Sequence, residues 1–278
     1  VYTEARQAFQ VGDWEKAIEL FDAILARDRN YQDAIALRKQ AVANRALERS
    51  FEEGEAAYRE GDWEEAIDAL GRLRQTNTAF RADGIQAMLC DAYLQLGQVR
   101  VAALADPSDT TSVESALDDF EAGLAICADS QALSAQQNLA NRFLLAVKAQ
   151  ASEDFDTVVQ ELTPVVAAKP DYANDHARHM LYVGLVKRGD IRQESGDLNG
   201  ALEDYQQALA LGEPDSLDAA SRLSTALGKL VGERPSAIPQ TDEVPTRPDY
   251  THAAPSLIGP PRDALFRGEY TVVILEWE

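Results

Sequence analysis

Two histidines three residues apart, His176 and His179, stand beside Asp171 and Asp175. An i, i+3 histidine pair with a carboxylate can hold a divalent cation. The pair lacks the i, i+4 spacing of a helical zinc-protease motif, and histidines at the exposed start of a helix are ordinary, so the sequence weighs against a metal. His252 lies apart, in the tail. Cys90 and Cys127 are the only cysteines, and they fit neither a CxxC pair nor a zinc spacing. Cys90 sits among Met88, Leu89 and Tyr93, and Cys127 follows Leu124 and Ile126. Both read as small core hydrophobes, with a disulfide between them as the lesser alternative. No serine or cysteine nucleophile has a supporting motif, and no glycine-rich phosphate loop occurs. The stretch Asp106–Glu114 lacks the central glycine and alternate acids of a calcium loop. The residues supply no catalytic, cofactor or metal site and point away from an enzyme.

Charge narrows the partners. The formal charge is −21, from 26 basic and 47 acidic residues, and residues 231–278 hold eight acids and four bases, which leaves −17 on the part before them. Such a surface repels phosphate backbones, and no basic stripe with interleaved aromatics is present, so nucleic acid is excluded as a partner. The acids read first as solvating outer helix faces, and second as an attraction for a basic partner. No run approaches the roughly 18 apolar residues of a membrane span. The chain begins at Val1, so a signal peptide or upstream anchor would lie outside it.

The elements that would carry a site are helices, and they repeat. Ala8–Phe21, AFQVGDWEKAIELF, returns as Ala57–Leu70, AYREGDWEEAIDAL. In each, a Gly-Asp-Trp turn (Gly12 to Trp14, Gly61 to Trp63) is followed five residues after the glycine by a small residue, Ala17 or Ala66, where two helices approach closely. Looser copies follow at Glu153-Asp154-Phe155, leading to Val158, Leu162 and a helix-ending Pro170, and at Gly196-Asp197-Leu198, leading to Ala201, Leu202 and Tyr205. Repetition of one helix-turn-helix signature marks a stack of such units. Trp14, Trp63, Phe155 and Tyr205 are then expected to be buried between neighbours. The stacked units share one continuous core, because a single hairpin cannot cover its own apolar face.

These motifs resemble the tetratricopeptide repeat family over residues 1–230. The resemblance implies an all-α superhelix of about five irregular helical hairpins. Repeat points at Gly12, Gly61, Gly97, Glu153 and Gly196 stand 49, 36, 56 and 43 residues apart, against a family unit of about 34, so the units are lengthened. The largest excess falls at Ala105–Ser112, an inserted loop with Pro107 in it; helix resumes at Val113, with Ser112 and Ser115 as candidate N-caps.

The family's superhelix presents a concave wall made by the first helix of each unit, suited to an extended peptide or a partner's helix. By register, the partner-binding residues are Arg6, Gln10, Phe51, Glu55, Tyr58, Arg59, Asp91, Gln95, Asp190 and Glu194. Phe9 shares that register, although Phe9 and Tyr58 also suit stacking contacts between units. Some relatives clamp a chaperone's C-terminal carboxylate with lysines and asparagines. Here the clamp positions carry Tyr2, Phe51, Glu55, Ala87 and Asp91, and the groove is acidic, so a basic or apolar segment is the expected guest.

After Leu230 the chain changes character. Seven prolines between Gly232 and Pro261 mark residues 231–255 as an extended linker. Tyr270–Trp277, YTVVILEW, reads as a strand, expected to pair with missing sandwich strands, with Ser256–Ile258, with the helices or with another copy of the chain. Residues 256–278 resemble the opening of a fibronectin-like β-sandwich. Helical repeats, a proline-rich spacer and a sandwich resemble the extracytoplasmic region of large bacterial multidomain proteins. The implied function is a non-catalytic interaction scaffold or sensor module, with a structural spacer oligomerising through its C-terminal strand as the alternative.

Overall fold

The computed structural model describes residues 1–31, 33–214 and 217–232. The described residues all belong to one compact unit. The proline-rich linker and the Tyr270–Trp277 strand expected above lie outside them. The described residues form eleven helices and no strand: α1 (Tyr2–Val11), α2 (Trp14–Leu25), α3 (Ala34–Glu60), α4 (Trp63–Thr76), α5 (Ala82–Ala102), α6 (Thr111–Ile126), α7 (Gln131–Ala151), α8 (Phe155–Ala168), α9 (His176–Ser195), α10 (Leu198–Ala210) and α11 (Ala219–Gly232). Each packs mainly on its chain neighbours, so five hairpins and a closing helix follow one another in order. The array is all-α, as the repeat pattern requires.

One turn joins the helices of four hairpins. Gly12, Gly61 and Gly196 stand at φ of 81°, 79° and 89°, a left-handed conformation that glycine adopts without a β-carbon clash. The next residue, an aspartate each time, closes the old helix and starts the new one. The N–H groups of Asp13, Asp62 and Asp197 donate to the carbonyls of Ala8, Ala57 and Arg192 at 2.9, 2.9 and 2.8 Å. Their side chains accept from the N–H groups of Lys16, Glu65 and Gly200, satisfying donors that a helix start leaves open. The fourth hairpin keeps all of this with Glu153 in the glycine's place, at φ 58°, and Asp154 donating to Ala149 O and capping Thr157 N–H.

Counted from the capping aspartate, packing repeats as well. Eight residues before it stands a small residue (Ala5, Gly54, Ala146, Gly189); four after it stands Ala17, Ala66, Val158 or Ala201; eight after it stands Phe21, Leu70, Leu162 or Tyr205. All of these are buried. The large residue of the second helix lies on the small residue of the first, and only a small side chain leaves room for it. Gly97 belongs to this set: it lies inside α5 with Phe120 of α6 against it. It is therefore not the turn of the third unit, as its place in the repeat spacing suggested. That turn is the loop 103–110. Helix α6 starts at Thr111, with Thr110 at the cap position, where Thr110 Oγ1 bonds Glu114; neither Val113 nor Ser112 begins it.

The lengthening of the units resides chiefly in their first helices. From α3 on, these run 27, 21, 21 and 20 residues, whereas the second helices run 12 to 16. Length divides the core. One apolar cluster ends at Ala41, another begins around Leu47 and Phe51, and the largest runs from Val101 to Ala226. No residue of α3 from Val42 to Ser50 is buried, so the single continuous core expected for a regular stack is interrupted there. Trp14, Trp63 and Phe155 are half-buried rather than enclosed. At the first position of its helix, each tryptophan folds back over its turn glycine and meets Phe9 or Tyr58 edge-on at 5.4 and 5.6 Å.

Cys90 and Cys127 form a disulfide, with Cα atoms 6.2 Å apart. The reading of both as free core residues is corrected: α5 and the end of α6 lie antiparallel, which brings together thiols 37 residues apart.

Candidate functional site

Four of the first helices, α1, α3, α5 and α9, carry the groove residues nominated from the sequence. Arg6 and Gln10 on α1, Arg59 on α3 and Glu194 on α9 are exposed. Glu55 is half-exposed and forms an i, i+4 pair with Arg59 at 2.9 Å. Seven and three residues before their capping aspartates, Arg6 with Gln10 and Glu55 with Arg59 occupy identical places on successive first helices. They are available for outside contact.

Other nominated residues are engaged inside the array. Phe51 is 6% exposed; it meets Phe80 at 6.2 Å, with the Arg81 guanidinium 4.4 Å from its centroid. Tyr58 OH donates to Asp91 Oδ2 at 2.6 Å, and Gln95 Nε2 to Asp91 Oδ1 at 3.3 Å, so these three tie α3 to α5. The bond to Asp91 and partial burial raise the Tyr58 hydroxyl pKa. Asp190 accepts from Tyr205 OH and from Arg222, joining α9 to α10 and α11. Phe9 packs against Trp14 and Phe21. With Gly97 inside α5, the residues of that helix in register with Glu55 and Arg59 are Gln98 and Ala102. Counting from the capping aspartates gives Val147 and Ala151 as the equivalents on α7, and Asp190 and Glu194 on α9.

Two further acid sites are internal. Asp204 of α10 is fully buried and held by Arg188 through Nε and Nη2 at 3.0 and 2.5 Å and by Arg192 Nη1 at 3.0 Å. Two guanidiniums on one carboxylate compensate its burial. Asp119 of α6 is less well served. Arg100 Nη1 stands 3.0 Å from its Oδ2 without completing a hydrogen bond, and desolvation pushes its pKa up to about 6 against the opposing pull of Arg100.

The histidine pair does not assemble a metal centre. His179 Nδ1 lies 3.3 Å from Glu213, and among the described residues no three histidines, cysteines or carboxylates converge. No described helix is long and apolar enough to cross a membrane.

Comparison with known proteins agrees with this geometry at the N-terminal end. Tetratricopeptide repeat family models match residues 2–50 and 35–77, the segment holding both Gly-Asp-Trp turns. Residues 2–77 are thus similar in sequence to tetratricopeptide repeats. No curated protein matches the chain. Among solved structures it is similar to a thermophilic TPR protein of Thermus thermophilus, at 17% identity, with 81% of this chain and 96% of that chain covered and a TM-score of 0.19.

Proposed function

We propose that this chain is a non-catalytic interaction scaffold that holds a protein segment on the wall formed by its first helices. The observation that carries the reading is the recurrence of solvent-accessible polar residues, exposed Arg6 with Gln10 and half-exposed Glu55 with exposed Arg59, at identical places on α1 and α3 within the stretch matched by repeat models. Side chains repeated in register and left free of the core suit a guest whose own contacts repeat along its length. The excess of acids favours a basic or apolar segment over an acidic one. Glu194 extends the same wall on α9. The Cys90–Cys127 bridge supports maturation in an oxidising, extracytoplasmic compartment.

The test is affinity capture with the immobilised full chain, followed by a binding isotherm for each captured protein. A scaffold yields a saturable partner whose affinity falls when Arg6, Glu55 and Arg59 are together replaced by alanine. Binding should also weaken with salt, since exposed charges are screened over about 8 Å at physiological ionic strength. Capture that is indifferent to the triple change, or no saturable partner, would favour a structural spacer.

A further inference from the structure

The loop between α5 and α6 lies over groove residues of another hairpin. Its root is fixed, for Leu104 is 2% exposed and part of the largest apolar cluster. Its tip is shaped by its own hydrogen bonds. Asp106 Oδ1 accepts from Ser108 N–H at 2.8 Å and Ser108 Oγ at 2.7 Å. Asp109 N–H donates to Asp106 O at 3.0 Å, and Asp109 Oδ1 accepts from Thr111 N–H and Oγ1 at 3.2 and 2.7 Å. Two linked aspartate turns thus hold Pro107 at the apex. Pro107 and Ser108 face Val147, Gln150 and Ala151 of α7 and Met180 of α9 across a cavity of about 360 Å³.

Val147, Gln150 and Ala151 stand seven, four and three residues before Asp154. They are the fourth hairpin's equivalents of Arg6, Phe9 and Gln10, and of Glu55, Tyr58 and Arg59. We propose that the loop 103–110 is a built-in cover that occupies, in cis, the stretch of groove on α7 where a guest segment would continue, and that the guest displaces it. This rests on the groove reading given above. The hydrogen bonding favours displacement. The bonds that shape the tip run within the loop and to the first residue of α6, and Gln150 Oε1, a buried atom of a residue lining the cavity, finds no hydrogen-bond partner among the described residues. Lifting the tip therefore leaves its own turns intact. An extended guest offers a backbone N–H to Gln150, satisfying a group that is costly to leave unpaired. The guest so described is an extended segment with a small apolar residue for the cavity and a free amide donor beside it.

The experiment uses the full chain with Val147→Cys, in which the bridged Cys90 and Cys127 do not react, and measures maleimide labelling at position 147. Rates are compared between the native loop and a loop unpinned by Asp106→Ala with Asp109→Ala, and Val99→Cys on exposed α5 surface serves as control. Loss of the turn bonds frees the tip from the shape that fits the cavity and should speed labelling at position 147 on the order of tenfold, the ordering entropy of about one residue in an opening equilibrium, with position 99 unchanged. Excision of Pro107 and Ser108 should do the same by removing the tip. Equal rates at position 147 with native, unpinned and excised loops would overturn the cover. A displayed library of linear dodecapeptides, selected in parallel on native and unpinned chains, reads the groove itself. Peptides that enrich on the unpinned chain and slow labelling at position 147 support displacement. Faster labelling with no enrichment on either chain would instead defeat the groove reading while leaving the cover in place.

Discussion

A β-carbon placed on Gly189 would lie 2.6 Å from Cε1 of Tyr205, so the tyrosine ring rests directly on the α9 backbone. Gly54 stands in the same relation to Leu70, at 2.8 Å. Gly189→Ala should cost about 1–3 kcal/mol through overpacking against a rigid ring. Gly71→Ala, on a helix with nothing within 4 Å, should stabilise by roughly 0.5–1 kcal/mol from helix propensity alone. Thermal melts of the two variants should shift in opposite directions, and a shared direction would contradict the packing register.

Glu153 occupies a left-handed position that Gly12, Gly61 and Gly196 fill in the other turns. Glu153→Gly should therefore stabilise the chain by roughly 0.5–1 kcal/mol, the relief of strain outweighing the added freedom of the unfolded chain. Gly61→Ala should destabilise by about 1–2 kcal/mol. Urea midpoints measure both. A lower midpoint for Glu153→Gly would show that its side chain contributes more than its backbone costs.

Asp119 has a folded-state pKa of about 6, raised from 3.8 by burial. A raised carboxylate pKa means that the folded state holds its proton longer than the unfolded state does. Its contribution is thus most favourable below about pH 4 and is lost as pH rises to 6 and beyond, by up to roughly 3 kcal/mol. Asp119→Asn carries no such charge. The stability difference between variant and native chain should move in the variant's favour between pH 4.5 and 8, and parallel pH profiles would rule out a buried, reluctant carboxylate at this place.

The bridge between Cys90 and Cys127 closes a span of 37 residues, for which chain entropy gives about 4 kcal/mol. Replacing both cysteines by serine, or adding a reductant to the native chain, should lower the melting temperature. The reductant should leave the melt of the serine variant unmoved. Quantitative alkylation of both thiols in unreduced protein would show them to be free.

The fold was legible where its causes are local. A glycine at positive φ followed by a capping aspartate is decided within six residues, so the turns at Gly12, Gly61 and Gly196 could be read from the chain, and the acid-aromatic pair after Glu153 marked the fourth. Gly97 misled because a glycine that admits Phe120 into a helix contact and a glycine that ends a helix look alike in sequence. The bridge and the division of the core at α3 depend on which helices meet, and spacing does not encode that. The site was half legible for the same reason. Register alone singled out Arg6, Gln10, Glu55 and Arg59, which the fold leaves accessible to solvent at repeated places on α1 and α3. The use of Phe51, Tyr58, Asp91 and Asp190 in internal contacts is decided by Phe80, by α5 and by Arg222, which lie far along the chain.

The groove reading is tested most directly by a photo-crosslinking side chain placed at Gln10 on the full chain, with the same group at exposed Glu19 of α2 as comparison. The account predicts a saturable crosslink from position 10 to one protein segment, competed by unlabelled chain, lost when Arg6, Glu55 and Arg59 are replaced, and absent from position 19. A saturable crosslink from position 19 alone, or crosslinks from position 10 that survive the triple replacement, would contradict it.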